Sequence, residues 1–110
     1  MAAQFELTKN EQGEHHFVLR APNGDPILTS EAHAAKAAAL AGIELVRTSS
    51  AADDNFRRRT SAAGQPYFVL LAPKGEMLGT SQMYATPLAR ENGVRAVKLN
   101  APIAAIDDKA

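Results

Sequence analysis

Alternating hydrophobic and polar residues near the start of the chain predict two strands, each with one buried face. Residues 5–8 read Phe-Glu-Leu-Thr and residues 15–20 read His-His-Phe-Val-Leu-Arg, which is the two-residue period of a half-buried strand. Proline presets the backbone at the entry to a turn and glycine accepts a positive φ at its exit, so Pro22–Gly24 predicts a hairpin connection. A short third strand is predicted through residues 27–28.

An alanine-rich run follows, and its composition predicts a helix. Ser30 stands before this run, and its hydroxyl can accept a hydrogen bond from an amide of the first helical turn. Gly42 is predicted to end the helix in a left-handed cap, and Leu45–Thr48 is predicted to begin a fourth strand. One unit therefore consists of three strands, a helix and a strand.

The second half of the chain repeats the first at a constant offset and without insertion, which indicates two copies of one structural unit. In the second copy, Ser81 takes the place of the capping serine and Gly93 that of the terminating glycine. The repeat preserves turn glycines, strand apolar residues and these serines, and no reactive group recurs with them. The matched positions are Phe5 with Phe56, Gly13 with Gly64, residues 17–19 with 68–70, 21–22 with 72–73, Gly24 with Gly75, 29–30 with 80–81, and Gly42 with Gly93.

These patterns predict an α+β fold with two tandem β-β-β-α-β repeats, an antiparallel sheet and two helices. The first repeat spans residues 4–50 and the second spans 55–100, with a polar linker over 49–54. A unit of about fifty residues buries too little surface to be stable alone, so both repeats are expected to form a single domain. Residues 101–110 have little apolar content and are predicted to be a disordered tail.

The two copies differ at two informative positions. Leu7 corresponds to Arg58, so a charge stands where the strand pattern requires an apolar side chain. The preferred interpretation is that Arg58 lays its stem on apolar surface and places its guanidinium in water, and the alternative is a contact with a ligand or partner. Pro87 falls inside the predicted second helix, where it removes a backbone hydrogen bond, so a bend is predicted near Met83–Thr86.

With both units laid out, the chain from Phe5 to about Asn100 resembles the YegP-like family, small bacterial proteins that are mostly uncharacterised. The resemblance implies two copies arranged about a pseudo-twofold axis that exchange their final strands. It also implies that this chain is a monomer with an internal pseudo-dimer, because both copies are present in one molecule. The family carries no established activity that could be transferred. The segments that carry the resemblance are 17–24, 68–75, 29–31, 80–86 and 92–98.

Composition and charge exclude several classes of protein. The formal net charge is zero, but residues 1–54 hold four basic and eight acidic side chains, a balance of −4, whereas residues 55–110 reverse these numbers to give +4. Opposite fields favour pairing of the two halves with each other. The chain has no cysteine and no signal-like start, so a cytoplasmic location is expected. The longest apolar run, residues 67–72, is far shorter than the roughly 20 residues of a membrane-spanning helix.

The candidate chemistry is sparse. His15 and His16 are neighbours on a strand and point to opposite faces, and His33 is predicted in the first helical turn, so no metal site, cofactor or catalytic group is expected. We expect a small non-enzymatic binding or interaction module, with an unidentified protein as the possible partner. The alternative is nucleic-acid binding through the basic second repeat. The candidate contact residues are Arg57, Arg58, Arg59 and Lys74.

Overall fold

The structure is a computed structural model that describes residues 2–110, and this part of the chain folds into one sheet with two long helices. A short 3₁₀ turn, Asp53–Asn55, precedes the fourth strand. The elements in chain order are β1 (Gln4–Lys9), β2 (His15–Arg20), β3 (Pro26–Thr29), α1 (Lys36–Ser49), β4 (Phe56–Thr60), β5 (Pro66–Leu71), β6 (Met77–Thr80), α2 (Pro87–Asn100) and β7 (Ala105–Asp108).

The seven strands lie in the order β4-β5-β6-β3-β2-β1-β7. The two repeats meet at the centre, where Thr29 of β3 pairs with Thr80 of β6. The strand that follows the second helix crosses to the first repeat and pairs with β1, and the predicted α+β fold of two tandem repeats is confirmed. The implied exchange of final strands is only half correct, because α1 is followed by the turn Asp53–Asn55 and not by a strand that could cross to the second repeat. One detail differs from the prediction, because the β1–β7 pair is parallel whereas all other neighbouring pairs are antiparallel.

One hydrophobic core joins the two repeats. Alternate residues of β1, β2 and β5 are fully buried, as the two-residue period predicts. Helix α1 contacts β5 and β6 of the other repeat as well as β2 of its own, and α2 contacts β3 as well as β5. The hairpin glycines Gly24 and Gly75 have φ values of 92° and 96°, which confirms the predicted turns.

The predicted start of the first helix is wrong, because Ser30 is not a helix cap. The helix begins at Lys36, and Ala35 before it offers no side-chain cap. Ser30 is buried, its Oγ accepts a hydrogen bond from the Phe17 amide at 2.9 Å, and it donates to the Glu31 carbonyl at 2.9 Å. Ser81 makes the same pair of bonds in the second repeat. A serine hydroxyl can satisfy a strand amide as well as a helical one, and here it holds β3 and β6 to the preceding strands.

The predicted end of the helix at Gly42 and the strand at Leu45–Thr48 are also wrong. Both Gly42 and Gly93 lie inside their helices. A Cβ on Gly42 would lie 3.1 Å from Cε2 of Phe17, so glycine serves here to bring the helix close to an aromatic ring. The helix continues through Leu45–Thr48 because Val46 belongs to its buried face.

The bend predicted before Pro87 does not occur. Pro87 is the first residue of α2, where its missing N–H has no helical partner to lose and its fixed φ suits the helix. Thr86 before it is the cap, and its hydroxyl accepts a hydrogen bond from the Ala89 amide at 3.0 Å. The predicted cap, Ser81, lies five residues before the actual cap, so Pro87 falls inside the predicted helix but at the first position of the observed one.

The predicted disordered tail is instead ordered and ends in β7. Ala101 and Ala104 are buried, and Arg47 of α1 donates from Nη1 to their carbonyl oxygens at 3.0 and 2.8 Å. The Lys109 amide donates to the Leu7 carbonyl at 2.8 Å. The prediction of disorder failed because β7 does not depend on large apolar side chains. Its order comes from the close packing of the alanines before it and from backbone pairing with β1 of the other repeat. No helix in residues 2–110 is long and apolar enough to cross a membrane.

Candidate binding site at the free edge of strand β4

The pseudo-symmetry of the repeats breaks at the two ends of the sheet. Strand β1 is covered by β7, but β4 has no neighbour on its outer side among residues 2–110. The Ser61 amide donates to the Gln65 carbonyl at 2.9 Å, so these two residues form a hydrogen-bonded pair. Because such pairs alternate with pairs that are not hydrogen-bonded along an antiparallel ladder, only every second residue of β4, counted from Ser61, bonds to β5. The main-chain groups of Arg58 and Thr60 therefore point away from β5. On β1, the corresponding carbonyl of Leu7 accepts a bond from the amide of Lys109, directly after β7, so the β4 edge presents the groups that a further strand would use.

Arg58 is the centre of an ionic cluster that links β4 to α2. Its Nη2 lies 3.0 Å from Oδ1 of Asp53 and 2.9 Å from Oε1 of Glu91. Lys98 adds a second cation, with Nζ 2.6 Å from the same Asp53 oxygen. Val94 and Arg95 complete the lining of a shallow depression of about 210 Å³ beside these groups. The guanidinium of Arg58 is thus bound by carboxylates, which corrects the expectation that its head lies in water.

The cluster stays ionised over a wide pH range. Hydrogen bonds from Arg58, which has the larger effect, and from Lys98 lower the pKa of Asp53 to about 2. Arg58 is also the main cause of the lowered pKa of Glu91. The hydrogen bonds to Glu91, which has the larger effect, and to Asp53 raise the pKa of Arg58 above its ordinary value. These shifts keep Asp53, Glu91 and Arg58 in their charged forms near neutral pH, which preserves the ion pairs between them.

The corresponding place in the first repeat is apolar. Leu7, Leu40 and Ala104 occupy the positions that match Arg58, Glu91 and Asp53 at the constant offset. Leu7 and Ala104 are buried, and Leu40 packs against the core. The first repeat therefore closes this corner with apolar contacts and β7, while the second leaves it open and charged.

Arg57 and Arg59 lie on the other face of the sheet, since residues alternate along a strand. Both side chains are exposed, and the register places Arg57 across from Val69 and Arg59 across from Tyr67 of β5. The Arg57 guanidinium donates to the carbonyl of Asp54. Neither Arg57 nor Arg59 has a carboxylate partner within the described part of the chain. These two cations are available to a bound molecule.

The four predicted contact residues do not form one group. Strand β4 brings Arg57, Arg58 and Arg59 together, but Lys74 lies in the turn between β5 and β6 and does not line the depression. Sequence reasoning missed Asp53 and Glu91. The signal was present in the repeat, because both are carboxylates at positions where the other copy has apolar residues.

The histidines have structural surroundings. His15 and His33 exchange two backbone hydrogen bonds, each 2.7 Å long, so the prediction that His33 starts a helix is wrong. Its ring stacks on Phe17 with centroids 6.3 Å apart, as Tyr84 stacks on Phe68 in the second repeat. Across residues 2–110, no three His, Asp or Glu side chains come close enough together to hold a metal ion.

The fold and its open edge define a class of small tandem-repeat protein, in which the last strand of one repeat completes the sheet of the other. Residues 10–56 and 61–108 each match the family model described as domain of unknown function DUF1508. The chain belongs to this family, which confirms the resemblance stated from the sequence.

Named relatives match over almost their whole length. The chain is 42% identical over 108 residues to the UPF0339 protein YegP of Escherichia coli O6:H1, covering 98% of both chains. It is 44% identical over 110 residues to a UPF0339 protein of Pseudomonas aeruginosa, covering 100% of both. Its fold is similar to the solution NMR structure of YegP from E. coli, with a TM-score of 0.93, 40% identity, and coverage of 99% of this chain and 94% of that chain. These relatives are uncharacterised, so no activity follows from the similarity.

Proposed function

We propose that the protein is a non-enzymatic binding module that contacts its partner through the free edge of β4 and the exposed arginines beside it. The observation that carries this proposal is the contrast between the two sheet ends, since β7 covers residues 4–7 of β1 and the matched β4 edge is open. An uncovered strand edge is a template for pairing with another chain. Arg57, Arg58 and Arg59 keep this edge from unspecific pairing with uncharged strands, and they favour partners of opposite charge.

The rest of the described surface supports a contact function better than catalysis. The ionisable groups of the cluster beside β4 form ion pairs, and the ring of His33 stacks on Phe17. A protein partner, a single-chain state and a cytoplasmic location are parts of this proposal. Nucleic acid is the competing ligand, because the ring of Tyr67 across from Arg59 could stack on a base.

The test compares three forms of the tagged full-length chain in pull-downs from cell extract. The double variant Arg57→Glu/Arg59→Glu reverses the charge beside the edge, and Lys9→Glu/Lys74→Glu makes the same change in charge elsewhere. A partner retained by the unmodified chain and the control but lost by the edge variant supports the proposal. Equal capture by all three forms contradicts it. Nuclease treatment of the same samples shows whether the bound molecule is nucleic acid, which would favour the competing ligand.

A further inference from the structure

The pairing of β7 with β1 shows how this fold accepts a strand at its edge. The two strands are parallel, in a register that places Asp107 opposite Glu6 and Asp108 opposite Leu7. The Lys109 amide closes the pair by donating to the Leu7 carbonyl. Because the repeats match residue by residue, the same geometry on β4 places a bound strand against Arg57, Arg58 and Arg59.

The charges along the two edges are opposite. On β1, Glu6 stands opposite Asp107, and Lys109 offsets this like-charge pair with Nζ 3.2 Å from Glu6 and 3.6 Å from Asp107. On β4, the position of Glu6 is held by Arg57. A carboxylate opposite Arg57 would therefore form a favourable cross-strand pair directly, without a bridging lysine.

A second carboxylate of the bound strand would be favourable opposite Arg59, the next residue of β4 on the same face. Continuing the register by two residues places a bound strand's residue opposite Arg59, which matches Thr8 of β1. Arg59 makes no ion pair in residues 2–110. Acidic residues at alternate positions of an extended segment would thus meet Arg57 and Arg59, while the backbone bonds to Arg58 and Thr60.

A second copy of the chain fits this edge less well than a separate acidic segment does. The chain's own acidic strand is already neutralised, since Asp108 lies 2.5 Å from Lys36 and Asp107 contacts Lys109. The turn before β7 also buries Ala101 and Ala104 in the core, so β7 cannot leave β1 without exposing apolar surface.

We propose, resting on the binding function above, that the occupant of the β4 edge is an extended peptide segment of a partner protein that adds a parallel strand and carries acidic residues at two alternate positions. Main-chain hydrogen bonds supply the docking, and the arginines select the sequence. The arginines disfavour segments with lysine at those positions.

The direct test is an NMR titration of the ¹⁵N-labelled full-length chain with two synthetic peptides. The first has the sequence of residues 102–110 with Lys109→Glu, and the second has lysine at both alternate positions, through Asp107→Lys with Lys109 kept. The acidic peptide is expected to shift the amide signals of Phe56–Thr60 and to bind roughly 2- to 30-fold more tightly than the basic peptide, as two cross-strand charge pairs imply. In the Arg57→Glu/Arg59→Glu variant, this preference should reverse.

A second pair of variants tests whether the backbone takes part. Thr60→Pro removes one outward-facing N–H, and Thr60→Val keeps it with a similar shape and strand preference. The proline variant is expected to bind the acidic peptide roughly 3- to 10-fold more weakly than the valine variant. Equal affinities would overturn pairing by strand addition.

The remaining outcomes separate this inference from the proposed function. If the acidic peptide shifts no β4 signal at millimolar concentration while the pull-down still finds an edge-dependent partner, the partner class is wrong and the binding function stands. Loss of both signals overturns both. Shifts at β1 instead of β4, or concentration-dependent self-association that moves the β4 signals without peptide, would show displacement of β7 or a second copy as the occupant and overturn the inference.

Discussion

Replacing Gly93 by alanine tests whether the glycines inside the helices are there for close packing. A Cβ at this position would lie 2.6 Å from Cζ of Tyr84 and 3.1 Å from Cε2 of Phe68. Tyr84 cannot easily give way, because its ring is stacked on Phe68 and its amide donates to the Pro66 carbonyl at 2.8 Å. The variant must therefore shift an aromatic ring or the helix itself.

The matched position Gly42 provides the control. Its added Cβ would lie 3.1 Å from Phe17 and no closer than 3.6 Å to His33. Alanine gains roughly 1 kcal/mol over glycine inside a helix, and overpacking costs about 1–3 kcal/mol. We expect the gain to offset the mild contact at Gly42, leaving stability within about 1 kcal/mol. The closer contacts at Gly93 place the overpacking cost at about 2–3 kcal/mol, so Gly93→Ala should lower the free energy of unfolding by about 1–2 kcal/mol after the helix gain is subtracted.

Urea unfolding followed by circular dichroism measures both changes, provided that the slope with denaturant stays constant. The variant Tyr84→His gives the second repeat the smaller ring of the first, so Gly93→Ala introduced into that background should lose most of its cost. Equal effects of the two glycine substitutions, or an unchanged cost beside histidine, would refute the packing argument.

Three further predictions follow from contacts at the helix ends and in the ionic cluster. Arg47→Met is expected to lower the free energy of unfolding by about 1.5–3 kcal/mol, because the carbonyls of Ala101 and Ala104 lose a charged donor. The matched variant Lys98→Met should lower it clearly less, and urea unfolding measures both. Thr86→Ala should cost about 1 kcal/mol and Thr86→Ser little, because only alanine loses the cap. The pKa of Asp53 lies below its ordinary 3.8 in the fold, so the stability from its ionised form is present above pH 3.8 and is lost as the pH falls through about 2. Arg58→Leu should raise this pKa, and NMR titration of the Asp53 carboxyl carbon measures the rise.

The internal repeat was the feature of the fold that could be predicted best from the sequence. Strands predicted from the alternation at residues 5–8 and 15–20 are present, and so are the turns at Gly24 and Gly75. The helix ends were misplaced because serine and glycine each have two common uses. Ser30 could cap a helix or hold a strand amide, and only the position of Phe17 in three dimensions decides between them.

The candidate site could be predicted only in part from the sequence, for a related reason. Three adjacent arginines on a strand were visible, and so was the mismatch of Arg58 with Leu7. The carboxylates that hold Arg58 lie in a turn and on a helix, so their convergence depends on tertiary packing. The open edge could not be predicted either, because residues 101–110 lack the apolar alternation that would have marked β7 as the strand covering β1.

Amide hydrogen exchange at matched edge positions tests the central claim most directly. Leu7 lies under β7, whereas Arg58 faces outward with no strand beside it, and the neighbouring Arg57 is paired with β5 as an internal reference. The account predicts slow exchange at Leu7 and Arg57 and fast exchange at Arg58, since only the last N–H lacks a partner. Exchange at Arg58 as slow as at Leu7 in the isolated chain would show that the β4 edge is covered and would contradict the account.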